Sequence, residues 1–332
     1  MPQFRKDPVS NHWVIIATDR ASRPQDPARA VKPDSAGPCP FCSGNEAMTP
    51  PEILAYRENN SPANQPGWSL RVVPNKFPAL VPEVNEDRQV QGLYESMKAL
   101  GAHEVVVEIQ EHATNVTALN RQQFSDLARA YRDRMISLGS DARWRHVLIY
   151  KNQGAEAGAT LEHVHSQIVA LPVVPRRVRD ELSGAKAFYE QKSRCVYCEI
   201  INAEKVGGSR IVSDKENFVA LCPYAPRFPF ETWILPKRHS PYFDRASELE
   251  CAEFALILRE TLLRLDRRLH QPPFNYVLHS GPLNHNADYY HWHLEILPRL
   301  AGVAGFEWGS GFFINTAAPE DTARELRKAL SY

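Results

Sequence analysis

The chain carries one series of cysteines and histidines twice. Cys39-Pro-Phe-Cys42 is followed by His112 and then by His163-Val-His165, and Cys195-Val-Tyr-Cys198 is followed by His239 and then by His291-Trp-His293. The lone histidine precedes the paired ones by 51 residues in one series and by 52 in the other. Chance does not readily place two such series in 332 residues. Internal duplication does, and it restricts the fold to one that can be built as two copies of a single unit.

Other segments follow the same register. Asn75-Lys-Phe-Pro-Ala-Leu80 answers to Asn217-Phe-Val-Ala-Leu221, and the apolar run Glu104-Val-Val-Val-Glu108 before His112 answers to Thr232-Trp-Ile-Leu235 before His239. After each lone histidine comes an amphipathic pattern. Phe124, Leu127, Ala128 and Tyr131 recur at helical spacing in the first copy. Phe254, Ile257, Leu258, Thr261, Leu262 and Leu265 do so in the second. Arg145-His-Val-Leu-Ile-Tyr150 and Phe274-Asn-Tyr-Val-Leu278 then read as strands. Each half is expected to run strand, strand, long helix, strand and a His-x-His strand. That is an α+β unit with a mostly antiparallel sheet and one main helix.

The length fits two domains, expected at 1–175 and 176–332. Their linker spans 172–194 and contains a charged helical stretch at 178–192. With 43% apolar and 23% charged residues the composition is that of a globular protein. Lys+Arg and Asp+Glu each number 39, so no polyelectrolyte surface for nucleic acid is expected. No stretch approaches the roughly 18 apolar residues of a membrane span. The N-terminus lacks an apolar signal core, so a cytoplasmic location is expected.

Four of the six cysteines form the two Cys-x-x-Cys pairs. In a chain of this kind the spacing reads as metal or redox. Redox chemistry wants one pair at the helix start of a thioredoxin-like unit, which neither copy resembles. Zinc wants four soft or borderline ligands, and each copy offers two cysteines with several histidines. His103 and His112 compete as the third ligand of the first set. Cys222 and Cys251 have no partner spacing and read as small buried apolar residues.

In Leu161-Glu-His163-Val-His165-Ser-Gln167-Ile-Val-Ala-Leu171 the alternation of a strand would put His163, His165 and Gln167 on one face. Just upstream lies Asn152-Gln-Gly154-Ala-Glu-Ala-Gly158-Ala-Thr160. Its small residues let backbone N–H groups approach an anion. It is no Walker A loop, because Gly-Lys-Ser/Thr is absent. Together the loop and strand read as a phosphate cradle beside a nucleophile. The second copy keeps His291-Trp-His293 but loses most of the glycine and alanine, and Glu295 stands where the first copy has Gln167. A carboxylate repels phosphate, so chemistry is expected in the first copy only.

Three segments carry a resemblance to a known family: Cys39-Pro-Phe-Cys-Ser-Gly-Asn-Glu-Ala-Met-Thr-Pro-Pro-Glu52, Arg71-Val-Val-Pro-Asn-Lys-Phe-Pro-Ala-Leu80 and His163-Val-His-Ser-Gln167. They resemble galactose-1-phosphate uridylyltransferases, a branch of the histidine-triad superfamily with two fused triad-like domains. The resemblance runs from Arg5 to Gly309. It implies ping-pong transfer of UMP between UDP-glucose and galactose 1-phosphate. His165 would be the nucleophile, and Gln167 would hydrogen-bond the transferring phosphoryl group. The resemblance makes Cys39, Cys42, His112 and His163 one zinc set, and Cys195, Cys198, His239 and His291 the other. Some relatives instead hold iron at the second site through a carboxylate and three histidines, which would correspond to His279, His291 and His293. Carried-over nucleotide contacts are Asn75, Lys76, Phe77, Asn152, Gly158, Thr160 and Gln167. Arg20 and Arg23 match residues that reach a partner subunit's phosphates, and Phe306 and Glu307 match a stretch that meets the hexose. A homodimer with shared sites is therefore implied. The family often has Tyr at the Phe306 position and Lys where Ala301 falls. A related branch with both Cys pairs and a His-x-His-Ser-Gln strand moves AMP from ADP-glucose to phosphate, and this is the alternative reading.

Overall fold

The computed structural model describes residues 2–22, 37–57, 60–85 and 87–330; Arg23 lies outside them. The chain begins with the antiparallel pair β1 (Gln3–Lys6) and β2 (Trp13–Ile16). Next come β3 (Leu54–Arg57) and β4 (Trp68–Pro74), a hairpin of β5 (Arg88–Gln91) and β6 (Tyr94–Met97), and β7 (Ala102–Val107). Helix α1 (Arg121–Gly139) leads to β8 (His146–Gln153) and β9 (His165–Leu171). Helices α2 (Arg176–Lys192) and α3 (Val196–Gly207) connect to the second half. There β10 (Ile211–Asp214), β11 (Phe218–Leu221), β12 (Thr232–Pro236), α4 (Glu248–Leu269), β13 (Phe274–His279) and β14 (His293–Pro298) follow. The chain closes with α5 (Gly305–Ser310), β15 (Phe313–Asn315) and α6 (Pro319–Lys328).

Ten strands form one antiparallel sheet in the order β10-β11-β12-β14-β13-β8-β9-β7-β4-β3. That order is a palindrome about the β13–β8 junction: β13 answers to β8, β14 to β9, β12 to β7, β11 to β4 and β10 to β3. The duplication is thus visible as topology. The two halves join through strand pairing from Phe274↔Gln153 to Leu278↔Ile149.

The long helices arise where the sequence pattern places them, and both start with the same device. Asn120 accepts from the Gln123 backbone N–H at 3.0 Å while Gln123 Oε1 accepts from the Asn120 N–H at 2.8 Å. Ser247 and Glu250 repeat the exchange at the head of α4. Such a reciprocal cap satisfies two N–H groups that have no partner inside the helix. The apolar stripes of α1 and α4 pack against one face of the sheet. Phe124, Leu127, Tyr131, Phe254 and Leu258 share a core there with Val106, Ile149, Val164, Ile168, Ile234, Trp292 and Leu294. Cys222 and Cys251 are buried apolar fillers in the same core.

The opposite face is covered unevenly. In the second half, Val178, Leu182 and Ala185 of α2 and Val196 and Ile201 of α3 lie over Val219, Leu221, Trp233 and Leu235. In the first half the equivalent Val73, Val105 and Val107 cluster, among the described residues, with Phe41 and Trp68, and with Cys39, Ala55 and Leu161 packed against them. One copy of the unit is therefore closed by helices and the other is left open, with no α-helix of the described residues over that face, though His163 and His165 on it are themselves buried.

Several expectations need correction. The second half has α2, α3, α5 and α6 besides its main helix. Asn75–Leu80 is a loop after β4, whereas the segment aligned with it, 217–221, forms β11; the topological partner of β11 is β4 itself. The last strand of the first half starts at His165 rather than Leu161. Before it the Val164 N–H bonds the Ala113 carbonyl, a loop rather than a strand, because the His163 ring is turned towards the Cys39 pair. Alternation nevertheless holds: Val164 and Ile168 enter the core under α1, and His163, His165 and Gln167 face the other way.

Candidate functional site

The first Cys/His series gathers at the open edge of the first half. Cys39, Cys42, His112 and His163 place one ligand atom each within 4.8 Å of one another. The His163 Nδ1 lies 3.6 Å from both Cys39 Sγ and Cys42 Sγ, and His112 Nδ1 lies 3.4 Å from Cys42 Sγ. Zinc–sulfur and zinc–nitrogen bonds of about 2.3 and 2.0–2.1 Å at a tetrahedral angle put sulfur and nitrogen about 3.6 Å apart, so this donor set fits a tetrahedral ion. His163 Nε2–H donates to the Ile109 carbonyl at 2.8 Å. That bond leaves Nδ1 with its lone pair and fixes the ring as a ligand. His103 lies elsewhere, against Gln167, so the cluster takes His112.

The second series repeats the arrangement with Cys195, Cys198, His239 and His291. Its sulfur–nitrogen separations are 3.6 to 3.9 Å. His291 Nε2–H and His239 Nε2–H donate to the Pro236 and Asp288 carbonyls. Here the Cys pair opens helix α3, which no sequence pattern singled out.

His291 joins its cysteines, and the other two histidines of the iron-holding variant do not follow it. His279 and His293 stack at 4.7 Å between Glu181 and Glu295. His279 Nδ1 meets Glu181 at 3.0 Å and Nε2 meets Glu295 at 3.4 Å. Arg177 pairs with Glu181 and Glu295, and Arg227 pairs with Glu295 and Glu231. Three carboxylates thus face two guanidinium groups and His279, whose pKa the carboxylates raise to about 9 despite the opposing effect of burial. Glu181, His279, His293 and Glu295 also place one ligand atom each within 4.8 Å of one another, and with His279 protonated the charges of the cluster balance. His293 and Glu295 are 1% and 2% exposed: α2 and its Glu181 plug, in the second half, the face that the first half keeps open.

His165 is the first residue of β9. Its Nδ1–H donates to the His163 carbonyl at 2.8 Å, so Nε2 carries the lone pair and no proton. Burial, and then the positive charge of Lys151, lower its pKa to about 4. The ring is therefore neutral at pH 7, as a nucleophile requires. Phe41 packs against it at 5.2 Å between ring centres. Behind it, buried Lys151 donates to the His165 carbonyl at 3.0 Å and to Glu108 at 2.7 Å.

Gln167 lies two residues on, on the same face and half-buried, and its Oε1 accepts from Tyr150 Oη at 2.9 Å and lies 2.6 Å from His103 Nε2. Across β8 stands the Gly/Ala loop. Gly154 has φ of +84°, and a Cβ there would come within 2.8 Å of Pro273 Cβ. Gly158 has φ of +87°, a left-handed turn that glycine adopts without strain. Asn275, from the second half, donates to Asn152 Oδ1 and to the Ala157 carbonyl, each at 2.8 Å, and so fixes the loop. Asn152 is half-buried and Thr160 exposed.

Asn75 begins the loop after β4. Its Oδ1 accepts from the Phe77 N–H at 2.9 Å, Lys76 Nζ donates to the Met48 carbonyl, and the Phe77 ring is 84% exposed. Arg20 and the Phe306–Glu307 pair sit apart from the large sheet. Arg20 follows β2, Phe306 and Glu307 lie in α5 before β15, and β15 pairs with β2 in a separate three-stranded sheet. The structure thus puts these three beside the small sheet rather than on the sheet that carries His165. The residues that sequence reading missed are Lys151, Glu108, Tyr150 and Glu181. A lysine within the apolar alternation of β8 was the one signal available for Lys151. Among the described residues no helix is long and apolar enough to cross a membrane.

The N-terminal domain model of galactose-1-phosphate uridyl transferase matches residues 1–175, and the C-terminal domain model matches 181–328. The chain is 35% identical to ADP-glucose phosphorylase of Arabidopsis thaliana over 98% of its own length and 93% of the relative's. It is 31% identical to galactose-1-phosphate uridylyltransferase of Thermotoga maritima, covering 99% and 98%. The crystal structure of an ADP-glucose phosphorylase from Arabidopsis thaliana with bound ADP-glucose superposes with a TM-score of 0.85 at 34% identity, over 100% of both chains. A uridylyltransferase structure does so with 0.78 at 30%, covering 99% and 98%. With a duplicated sheet, two Cys/His clusters and one open cradle already in place, the chain belongs to the galactose-1-phosphate uridylyltransferase family of nucleotidyltransferases.

Proposed function

We propose that this protein exchanges UMP between UDP-glucose and galactose 1-phosphate through a nucleotidyl-His165 intermediate. The observation that carries this reading is the His165 ring itself: neutral, its tautomer fixed by the His163 carbonyl, and lying beside Gln167 and the Gly/Ala loop. The His165 Nε2 lone pair attacks the α-phosphorus. A phosphorus–nitrogen bond forms as the phosphorus–oxygen bond to glucose 1-phosphate breaks, and that product leaves as an anion needing no proton. A phosphate oxygen of the acceptor then attacks the same phosphorus, the bond to nitrogen breaks, and neutral His165 returns. The Gln167 amide holds the charge that develops on the phosphoryl oxygens, beside a 154–160 loop whose Ala157, Gly158 and Ala159 N–H groups are bonded to the Gly154 and Ala155 carbonyls. Asn75, Lys76, Phe77, Asn152, Gly158 and Thr160 surround the nucleotide. Zinc at each Cys/His set would act as a closed cross-link, since four protein ligands leave no open position.

A second reading, transfer of AMP from ADP-glucose to phosphate, is supported by the higher identity to ADP-glucose phosphorylase and by the presence of both Cys-x-x-Cys pairs. Incubation with UDP-glucose or with ADP-glucose, followed by intact mass, decides between them. A mass gain of one UMP supports the first reading, one AMP the second, and neither would overturn both. His165→Ala should gain no mass, and His293→Ala should behave as wild type.

The separation of Arg20, Phe306 and Glu307 from His165 supports a C2 homodimer in which each protomer's small sheet completes its partner's site, with Arg23 in the same role. Mixing inactive His165→Ala with inactive Arg20→Ala should restore activity in heterodimers. Subunit exchange without recovered activity would refute shared sites.

A further inference from the structure

We propose that His103 is a positioning residue that, with Tyr150, holds the Gln167 amide with its oxygen turned inward and its N–H groups presented to the transferring phosphoryl group. The proposal rests on the nucleotidyl-transfer reading above.

Gln167 sits in the middle of the sheet. Tyr150 is directly opposite it on β8, and Val105 is opposite it on β7. His103, two residues before Val105 on the same face, is its diagonal neighbour, close enough for a ring to reach an amide. The ring is held from two sides. The Ala79 backbone N–H donates to Nδ1 at 3.2 Å. A backbone N–H can only donate, so Nδ1 has no proton and the neutral ring carries it on Nε2. That proton faces Gln167 Oε1 at 2.6 Å, and the Tyr150 hydroxyl donates to the same oxygen at 2.9 Å. In this tautomer the Asn75 Nδ2, 3.1 Å from Nε2, makes no bond to it. With both donors on Oε1, the amide nitrogen points outward, where it can donate to a phosphoryl oxygen. An unclamped amide could present either end, and the oxygen end repels phosphate.

The clamp belongs to the open half alone. By register, Glu295 stands opposite Trp233 and Val277 as Gln167 stands opposite Val105 and Tyr150. The second half therefore has Val277 for Tyr150 and Glu231 for His103. Glu231 instead accepts from Trp233 Nε1 and pairs with Arg227. Two equivalent strands with the same backbone pairing thus differ at these positions, so the fold itself does not require the clamp.

The test uses the intact protein and the rate of nucleotidyl-enzyme formation under single turnover, measured with UDP-glucose and with ADP-glucose. His103→Phe should slow adduct formation by roughly 10- to 100-fold, the order expected when a catalytic group is misplaced, with donor binding little changed. His103→Gln, which retains an N–H at similar reach, should recover most of the rate. In a Gln167→Ala background, His103→Phe should cost nothing further, because its effect passes through Gln167. Equal losses in both backgrounds, or a wild-type rate for His103→Phe, would overturn the positioning role while leaving the transfer reading intact. Absence of an adduct in the wild type with either donor would overturn both. The ring nitrogen shifts of His103 in a nitrogen-15 NMR spectrum give a readout free of activity: a proton on Nε2 supports the clamp, and a proton on Nδ1 refutes it.

Discussion

Lys151 Nζ donates to the backbone carbonyl of His165 at 3.0 Å from a site that is 1% exposed, with Glu108 as its counter-ion at 2.7 Å. One buried cation thus fixes the start of β9 and lowers the proton affinity of the ring above it. Lys151→Met leaves Glu108 buried and alone, which costs about 3–5 kcal/mol. We expect the urea midpoint to fall accordingly and most of it to return in Lys151→Met/Glu108→Gln. A single variant as stable as wild type would show that the pair is not buried as described.

A His165 pKa of about 4, set by burial and Lys151, makes a pH prediction. The imidazole stays unprotonated well below the usual histidine range near 6.5. Adduct formation should therefore stay level from pH 8 to about pH 5 and fall only below that, provided circular dichroism shows the protein still folded. A midpoint near 6.5 would contradict the burial of His165.

His279 predicts the opposite limb. Its folded pKa is raised to about 9 by Glu181 and then Glu295, against burial. The stability it contributes is fully present below the unfolded value near 6.5 and is lost as pH rises through 9. The loss is of the order of 3 kcal/mol. Wild type should lose urea resistance between pH 6.5 and 9, and His279→Gln should be weaker at pH 6 with a flatter alkaline slope. Equal slopes would show that His279 is neutral in the folded state.

Two Cys/His clusters predict two metal ions per chain, with metal–sulfur distances of about 2.3 Å for zinc. Their loss should have different consequences. Cys39→Ser releases His163, whose carbonyl holds the His165 tautomer, so metal falls to one ion and adduct formation drops sharply. Cys195→Ser also leaves one ion, but it loosens the junction of α3 with β14, so stability falls while the adduct still forms. Elemental analysis with intact mass on both variants checks this. Equal loss of adduct in the two would show that the clusters do not act separately.

The duplicated series of cysteines and histidines was enough to specify a doubled α+β unit, because repeated spacing can only come from repeated structure. The helical stripes from Phe124 and Phe254 and the alternation through His165 and Gln167 were likewise legible, since each is a local period of 3.6 or 2 residues. Two Cys/His sets could be read as clusters because four such residues at repeated intervals have little else to do. Spacing alone left His103 and His112 as rivals, since both lie near β7; the family resemblance named His112, and that residue lies with the cysteines. The palindromic sheet, the burial of Lys151 against Glu108 and the clamp on Gln167 depended on pairings between strands far apart in the chain. Tertiary structure alone also decided which half stays open. Glu181, on a connecting helix with no motif, carries α2 over His279 and Glu295 through charges that balance only once all the elements are assembled, while among the described residues no α-helix covers the same face of the first half.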